Sequence, residues 1–263
     1  HKAIRRQRQM CIRDRPYTLM YTTASQASYI IETTPSVDFS GNEELRNAYM
    51  GEAYFWRAFA HYYLLINFRN ISPIRQMPRN GDDYVRPLEK PATVWNFIQE
   101  DLAHAKELLP VKGYWDSKNA GRVTKASAAA LLGKAYLYRS GIEQYYGEDK
   151  TTFYSEAAKE FGDVIDGKYG TYDLTKNYAD NFDVAHENNE ESILEFQFLG
   201  DVDNAGFNPG LATSGLAFDS RGLMLPGAGV GYEGVVHNWL YNAFVNSVDK
   251  DGYTDIRMFS TMI

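Results

Sequence analysis

Cysteine is almost absent from this sequence, since Cys11 is the one thiol among its 263 residues. A single cysteine excludes an internal disulfide framework and a cysteine-based zinc site. The 5 histidines are scattered, and no HExxH metal motif occurs. A catalytic nucleophile is missing too, because the chain contains no G-x-S-x-G sequence. The sequence therefore predicts no metal ligands, no cofactor and no catalytic residue.

Positive charge is also scarce. Lys and Arg number 27 against 34 Asp and Glu, which gives a formal net charge of −7 at pH 7. This balance argues against a general affinity for nucleic acid or for anionic membranes. Residues 1–15 depart from it with six cations. We predict that this segment is disordered or foreign to the fold, with a polybasic arm as the alternative, and its lack of an apolar stretch excludes a signal peptide.

A strongly apolar stretch, residues 52–68, is still too polar to cross a membrane. Its sequence EAYFWRAFAHYYLLINF holds seven aromatic residues, but polar ones interrupt it at Glu52, Arg57, His61 and Asn67. A helix that is apolar nearly all round is a buried member of a bundle. We therefore predict a core helix that begins after a Ser40 or Asn42 cap. His61 is expected to be a hydrogen-bonded core or groove residue rather than a metal ligand.

Apolar periodicity predicts further helices on either side of this one. They are expected within residues 17–33, 93–110, 124–141 and 151–170. Thr93 and Thr124 are the expected N-caps, and Pro110 and Gly141 the expected stops. Helix pairs joined by short loops are typical of an all-α repeat. The predicted fold class is therefore mainly α, with irregular tetratricopeptide-like helix pairs and a loop-rich ligand-binding region.

One helix pair carries a more specific signal. Leu132-Gly133-x-x-Tyr136, followed by Ala157-x-x-x-Phe161, matches the tetratricopeptide pattern of a small residue at the helix crossing and an aromatic residue at the seam. The intervening IEQYYGEDK stretches the spacing, so the repeat is degenerate. We expect Gly133 to let the next helix approach closely.

The pattern changes after residue 168. NYADNFD indicates a short helix, the alternation in residues 191–200 predicts a strand, and residues 201–234 have the composition of a loop before a helix resumes near residue 235. One domain over residues 16–263 is therefore expected to comprise a helical scaffold, 16–185, and a loop-rich part, 186–263.

Two motifs in the loop are incomplete. The G-x-G-x-x-G match at residues 229–234 has no preceding strand of a βαβ unit, which a dinucleotide site requires. DVDNAG at residues 201–206 begins like a calcium loop but lacks the bidentate acid at position twelve. A solvated turn is favoured there, with a weak ion site as the alternative.

An ordered series of segments resembles the SusD/RagB family of outer-membrane nutrient-binding lipoproteins. The most specific segment is AGRVTKASAAALLGKAYLYRSG, residues 120–141, which resembles the family's GR-tk-AA-aLlakvyLy helix. The other matching segments are residues 46–74, 94–110, 154–198 and 240–263. Asn70 stands where the family often has glycine. Family members also have a lipoprotein signal and a longer C-terminal half, so we expect this chain to be a fragment.

The resemblance implies a non-catalytic protein on the outer face of the outer membrane. Members of this family capture an oligosaccharide, or another nutrient, and deliver it to a SusC-like TonB-dependent transporter. They are held at the membrane by an N-terminal lipid anchor, which we expect in the full-length protein only. The implied fold is mostly α-helical, with irregular loops carrying the ligand site.

Candidate ligand-binding residues are aromatic or charged side chains outside the helices. A sugar ring stacks its C–H face on an aromatic side chain and accepts or donates hydrogen bonds at its edge. Tyr232 is the foremost candidate, because flanking glycines leave its ring accessible. The other candidates are Tyr114, Trp115, Phe207, Asp219 and Arg221. Tyr232 and Trp115 have an alternative role as loop anchors.

Two other function classes compete with glycan capture. A helical-repeat scaffold for protein interaction explains the helices but does not need the long loop after residue 190. A glycan-active enzyme would need two carboxylates beside stacking aromatics, and such pairs have no local spacing rule. Nothing in the sequence favours catalysis over binding.

Overall fold

The computed structural model describes residues 2–147, 149–197, 238–248 and 252–253. The chain divides into two compact units, residues 1–173 with 190–195 and residues 174–189 with 196–263. The first unit contains helices α1 (Lys2–Thr33), α2 (Glu43–Phe68), α3 (Pro91–Leu108), α4 (Lys125–Tyr146) and α5 (Tyr154–Ile165), with short 3₁₀ turns at Thr34–Ser36, Gly81–Tyr84 and Ser117–Asn119. The second contains 3₁₀ turns at Tyr178–Phe182 and Val184–His186 and helix α6 (Asn238–Asn246).

The helices of the first unit pack in chain order. Each of α1 to α5 contacts chiefly the helix before it and the helix after it. This nearest-neighbour arrangement is characteristic of helix-pair repeats. The shared core is built on large, fully buried side chains such as Phe55, Trp95 and Ile98. The predicted mainly α class with helix pairs is confirmed.

Helix α2 is the central buried helix, as the sequence predicted. The Asn42 side chain caps it by accepting a hydrogen bond from the Leu45 N–H at 3.0 Å. Glu43 and Glu44 lie in the first turn, where negative charge is favourable. Among the described residues, no helix combines the length and the apolarity that crossing a membrane requires.

Two predicted helix ends were wrong. Helix α3 begins at Pro91, two residues before the expected Thr93 cap. Proline suits this first position because its fixed φ is helical and the N–H that it lacks would have no partner there. Helix α4 begins after the expected Thr124 cap but continues through Gly141 to Tyr146. It ends at Gly147, whose φ of 70° is a left-handed conformation that favours glycine.

The predicted strand at residues 191–200 was wrong over its described part. Residues 191–197 form no strand. Instead, the Ser127 hydroxyl on α4 donates to the Ile193 carbonyl at 2.9 Å. Ile193 and Leu194 both pack against buried residues of the first unit. The apolar residues therefore hold this segment against the helices, and the Ser127 hydroxyl satisfies the Ile193 carbonyl in place of a partner strand.

The predicted close approach of α5 to Gly133 is present. A Cβ atom built on Gly133 would lie 2.9 Å from Cε1 of Phe161. Tyr136, one turn further along α4, stacks on Phe153 with 5.5 Å between the ring centroids. These contacts are the small-residue crossing and the aromatic seam of the tetratricopeptide pattern.

Polar side chains of α2 and α3 join the core in a fully bonded cluster. The buried Arg57 guanidinium donates from Nε and Nη2 to the two Asp101 oxygens at 2.7 and 2.8 Å. The Ile74 N–H donates to His61 Nε2 at 2.9 Å, so His61 Nδ1 carries the proton and donates to the Arg57 carbonyl at 2.7 Å. His61 is thus a hydrogen-bonded core residue, as predicted.

Helix α1 extends through the basic N-terminal segment. Its first residue is Lys2, and it continues to Thr33 with Pro16 inside it. The helix predicted at residues 17–33 is confirmed as its C-terminal part. That residues 1–15 are foreign to the fold stays a prediction.

Candidate ligand-binding site

A cleft of about 600 Å³ opens between the end of α2, the second half of α4 and the start of α5. Its volume is in the range of small-molecule sites. We call it the tyrosine cleft, after Tyr138, Tyr145, Tyr146 and Tyr154. The other lining residues are Leu65, Ile66, Asn67, Arg69, Trp95, Leu137, Gly141 and Ile142.

The tyrosines of this cleft are unusually exposed for aromatic residues. Tyr145 is 83% exposed, Tyr146 58% and Tyr154 48%. Tyr145 and Tyr146 lie in the last turn of α4, which exists because the helix continues past Gly141. Their rings are perpendicular at 5.1 Å and form a corner. A cluster of large exposed aromatic side chains beside a cavity indicates a binding surface.

Arg69 enters the cleft from a rare backbone conformation. It caps the C-terminus of α2 with φ 62° and ψ −66°. The Asn70 N–H donates to the Phe68 carbonyl at 2.7 Å, which closes a γ-turn around Arg69. A γ-turn with positive φ is strained in a non-glycine residue, by about 1–3 kcal/mol. The glycine-favouring conformation thus lies at Arg69, one residue before Asn70, where we had aligned the family's glycine.

The Arg69 side chain is held by a buried acid at the back of the cleft. Its Nη1 and Nη2 donate to the two Glu143 oxygens at 2.8 and 2.7 Å. Trp95 Nε1 donates to Glu143 Oε1 at 2.8 Å, and the Glu143 side chain is fully buried. The Arg69 guanidinium carbon also lies 4.2 Å from the centre of the Tyr146 ring. The group is therefore fixed in place before any ligand arrives.

This arrangement matches the chemistry of a sugar. Exposed tyrosine rings supply faces on which sugar C–H groups stack. The amide of Asn67 and the tyrosine hydroxyls supply hydrogen bonds for hydroxyl groups. No Asp or Glu is among the described residues that line the cleft.

Two of the predicted site residues, Tyr114 and Trp115, lie together elsewhere in the first unit. Their rings are perpendicular at 4.9 Å, and both are half-buried. Trp115 Nε1 donates to the Val123 carbonyl at 3.2 Å. The Arg122 guanidinium carbon lies 4.2 Å from the centre of the Trp115 ring. Trp115 thus anchors its loop and covers Arg122, and its contact with a ligand stays a prediction.

Arg122 links this cluster to a second cavity of about 400 Å³ beside α1 and α2. It forms an ion pair with Glu52, and hydrogen bonding to this carboxylate raises the pKa of Arg122 further above its usual value. Its guanidinium carbon also lies 4.7 Å from the Tyr49 ring. Trp56 and Phe39 contribute aromatic surface to the same cavity.

The other predicted site residues fall outside the described residues. These are Phe207, Asp219, Arg221 and Tyr232, together with the motifs at residues 201–206 and 229–234. Their roles in binding stay predictions. Among the residues that the structure describes, no group of three or more His, Cys, Asp and Glu side chains could hold a metal ion.

The tyrosine cleft is not among the sites predicted from the sequence. From the sequence, IEQYYGEDK, residues 142–150, is interpreted only as an insertion that stretches the repeat spacing. The available signal was the pair of adjacent tyrosines in it, because adjacent positions on a helix point about 100° apart and cannot both face the core. Arg69 and Glu143 are 74 residues apart, so their pairing depends on the tertiary fold.

Comparison with known proteins supports the resemblance found in the sequence. A family model described as starch-binding and associating with the outer membrane matches residues 7–137. The match includes α2, α3 and most of α4, and it begins inside the basic segment 1–15.

Individual relatives agree with this match. A SusD-like protein of Bacteroides ovatus is 29% identical over 180 residues, which are 68% of this chain and 32% of the relative. The solved structure of a laminarin-binding SusD-like protein is 27% identical to this chain, with a TM-score of 0.57. The match covers 68% of this chain and 36% of the laminarin-binding protein. A structure determined with xylogluco-oligosaccharide is also 27% identical, with a TM-score of 0.57 and coverage of 70% and 35%.

This chain spans about a third of the length of these relatives. The family model matches residues 7–137 of this chain. The similarity to the relatives, in sequence and in fold, extends over about two thirds of this chain. The resemblance to the SusD/RagB family noted in the sequence is therefore confirmed, and the chain is similar to SusD-like proteins in sequence and in fold.

Proposed function

We propose that this chain captures an oligosaccharide at the outer surface of the cell, for delivery to a SusC-like TonB-dependent transporter. The observation that carries the proposal is the tyrosine cleft, which exposed rings line and in which Tyr146 packs on the fixed Arg69 guanidinium. Stacking on aromatic faces combined with hydrogen bonds at the ring edge is the general chemistry of sugar recognition.

Relatives support a carbohydrate ligand. One solved neighbour is named as laminarin-binding, and another was determined with xylogluco-oligosaccharide. The matching family model is described as starch-binding. These polymers differ in linkage, so the relatives support carbohydrate as the class of ligand. The variable loops of each protein would select the particular polysaccharide.

Binding without catalysis is the better supported activity. Hydrolysis of a glycosidic bond usually requires two carboxyl groups on opposite sides of it. Glu143 is the acid at the back of the cleft, and its oxygens already accept hydrogen bonds from Arg69 and Trp95. A fully buried carboxylate with these partners is placed to hold Arg69 and not to attack a sugar.

Delivery to a transporter and a lipid anchor are parts of the same proposal. The description of the family as associating with the outer membrane supports this location. The full-length protein, tagged and purified from outer membranes, should bring with it a TonB-dependent transporter. Recovery of the protein from outer membranes without such a transporter would contradict the delivery step.

Affinity electrophoresis tests capture directly. The 263-residue chain is run in native gels that contain starch, laminarin, xyloglucan, mannan or polygalacturonate, with serum albumin as the non-binding reference. Retardation by at least one polymer is expected. A chain with native circular dichroism that no polymer retards would contradict the proposed function. Tyr232→Ala in the same gels tests the ligand role predicted for that residue.

A further inference from the structure

We propose that the tyrosine cleft selects neutral oligosaccharides and discriminates against uronic-acid and other carboxylated sugars. This inference rests on the proposed function and names the class of glycan within it. It follows from the charges in the described walls of the cleft, where the cation Arg69 forms an ion pair with the buried Glu143.

Arg69 is the one charged residue among the described residues that line the cleft. An unmatched arginine would attract a carboxylate and bind it through two parallel hydrogen bonds. Here that two-pronged edge of the guanidinium already faces Glu143, with both contacts below 3 Å. Tyr146 covers one face of the same group.

The Arg69–Glu143 pair is therefore close to neutral as a ligand would meet it. The Asn67 amide and the tyrosine hydroxyls in the lining offer hydrogen bonds to hydroxyl groups, which is what a neutral sugar needs. A carboxylated sugar would have to lose hydration and would meet the buried Glu143 charge directly behind the arginine. Desolvating the carboxylate of the sugar without pairing it with a cation is strongly unfavourable.

Lys134 is a cation near the cleft that is not part of its lining. The Lys134 ammonium lies 5.8 Å from the centre of the Tyr138 ring. Lys134 is exposed, so water and salt screen its charge. The chain as a whole carries a formal net charge of −7, which also disfavours anionic ligands at long range.

A matched pair of polymers tests the inference. The neutral polymer that retards the chain most strongly is oxidised at its primary hydroxyls, so that the same backbone carries carboxylates. The wild-type chain is expected to bind the neutral form at least about tenfold more tightly than the oxidised form. Equal affinity, or preference for the oxidised form or for polygalacturonate, would overturn the inference while leaving glycan capture intact.

Glu143→Gln tests the cause of the preference. It keeps the shape of the side chain but removes the charge that neutralises Arg69, so the preference for the neutral form should fall by roughly tenfold. Glu43→Gln changes the net charge equally at an exposed site and should leave the preference unchanged. A natively folded Glu143→Gln protein with the wild-type preference would contradict the inference. If that variant does not fold, the wild-type comparison still decides, and binding of neither polymer form would overturn the proposed function too.

Discussion

Gly133 on α4 lies directly against the ring of Phe161 on α5. A Cβ atom at residue 133 would be 2.9 Å from Cε1 and 3.1 Å from Cδ1 of that ring. The contact is closer than real Cβ atoms show, so only glycine allows the two helices to pack at this separation. The crossing brings the start of α5, and with it Tyr154, beside the end of α4.

We expect Gly133→Ala to destabilise the protein although alanine is the better helix former. The new methyl group must displace a packed aromatic ring, and overpacking of this kind costs about 1–3 kcal/mol. This loss exceeds the gain of up to about 1 kcal/mol from helix propensity. Urea unfolding followed by circular dichroism measures the difference.

Gly141→Ala is the matched control on the same helix. A Cβ atom there meets nothing within 4 Å. The substitution should therefore raise the free energy of unfolding by about 0.5–1 kcal/mol. Equal effects of the two substitutions would show that the Gly133–Phe161 contact does not set the helix separation.

Breaking the Arg57–Asp101 ion pair should be costly. Asp101→Asn leaves the buried guanidinium without its counter-charge, which typically costs about 3–5 kcal/mol. Glu43→Gln breaks the exposed ion pair with Arg46 and should cost less than about 0.5 kcal/mol. Urea unfolding of both variants compares them, and similar losses would argue that the Arg57 cluster is not the link between α2 and α3.

His61 should make the protein less stable in mild acid. Burial, together with the nearby Arg57 and Arg75 charges, lowers the pKa of His61 to about 4 from 6.5. Between these pH values the unfolded chain binds the proton and the folded chain does not, so stability falls as the pH falls. The contribution of this group should decrease by about 3 kcal/mol from pH 7 to pH 4.

His61→Gln separates this effect from the titration of other groups. Glutamine retains an acceptor for the Ile74 N–H but does not titrate. The unfolding free energy of the variant, measured by urea at several pH values, should vary less between pH 4 and 6.5. Identical pH dependence in both proteins would contradict a depressed pKa of His61.

Trp115→Ala should affect stability more than glycan affinity. The Trp115 ring lies on Arg122 and its N–H is bound to the Val123 carbonyl, and losing both contacts costs about 2 kcal/mol. Thermal unfolding and affinity electrophoresis of the same variant separate the two effects. A large loss of affinity with an unchanged melting temperature would instead favour direct ligand contact by Trp115.

Local patterns in the sequence predicted the helical scaffold well. The apolar stripe of α3, the Asn42 and Thr124 caps and the Gly133–Phe161 seam are all encoded within a few turns of chain. The strand predicted at residues 191–200 was wrong because alternating apolar and polar residues indicate only that one side of a segment is buried. The pattern does not show whether a second strand lies beside it. The end of α4 was misplaced because a glycine ends a helix when it adopts positive φ. Gly147 does so, and Gly141 does not.

The candidate site was harder to predict because it depends on distant residues. Arg69, Trp95 and Glu143 come from three different helices or their ends, and only the packing of α2, α3 and α4 brings them together. Tyr145 and Tyr146 looked like part of a connecting insertion because the continuation of α4 was not foreseen. Tyr232 and the other residues of the long loop stay predictions.

The most direct test of glycan capture by the tyrosine cleft is a comparison of two tyrosine variants. Isothermal titration with the polysaccharide that retards the chain would compare the wild-type chain with Tyr145→Ala and with Tyr29→Ala, which removes an exposed ring from α1, outside the cleft. Tyr145→Ala should weaken binding roughly fivefold to tenfold through loss of a stacking face, while Tyr29→Ala should bind like the wild type. Binding by Tyr145→Ala as tight as that of the wild type would contradict the assignment of the ligand to this cleft.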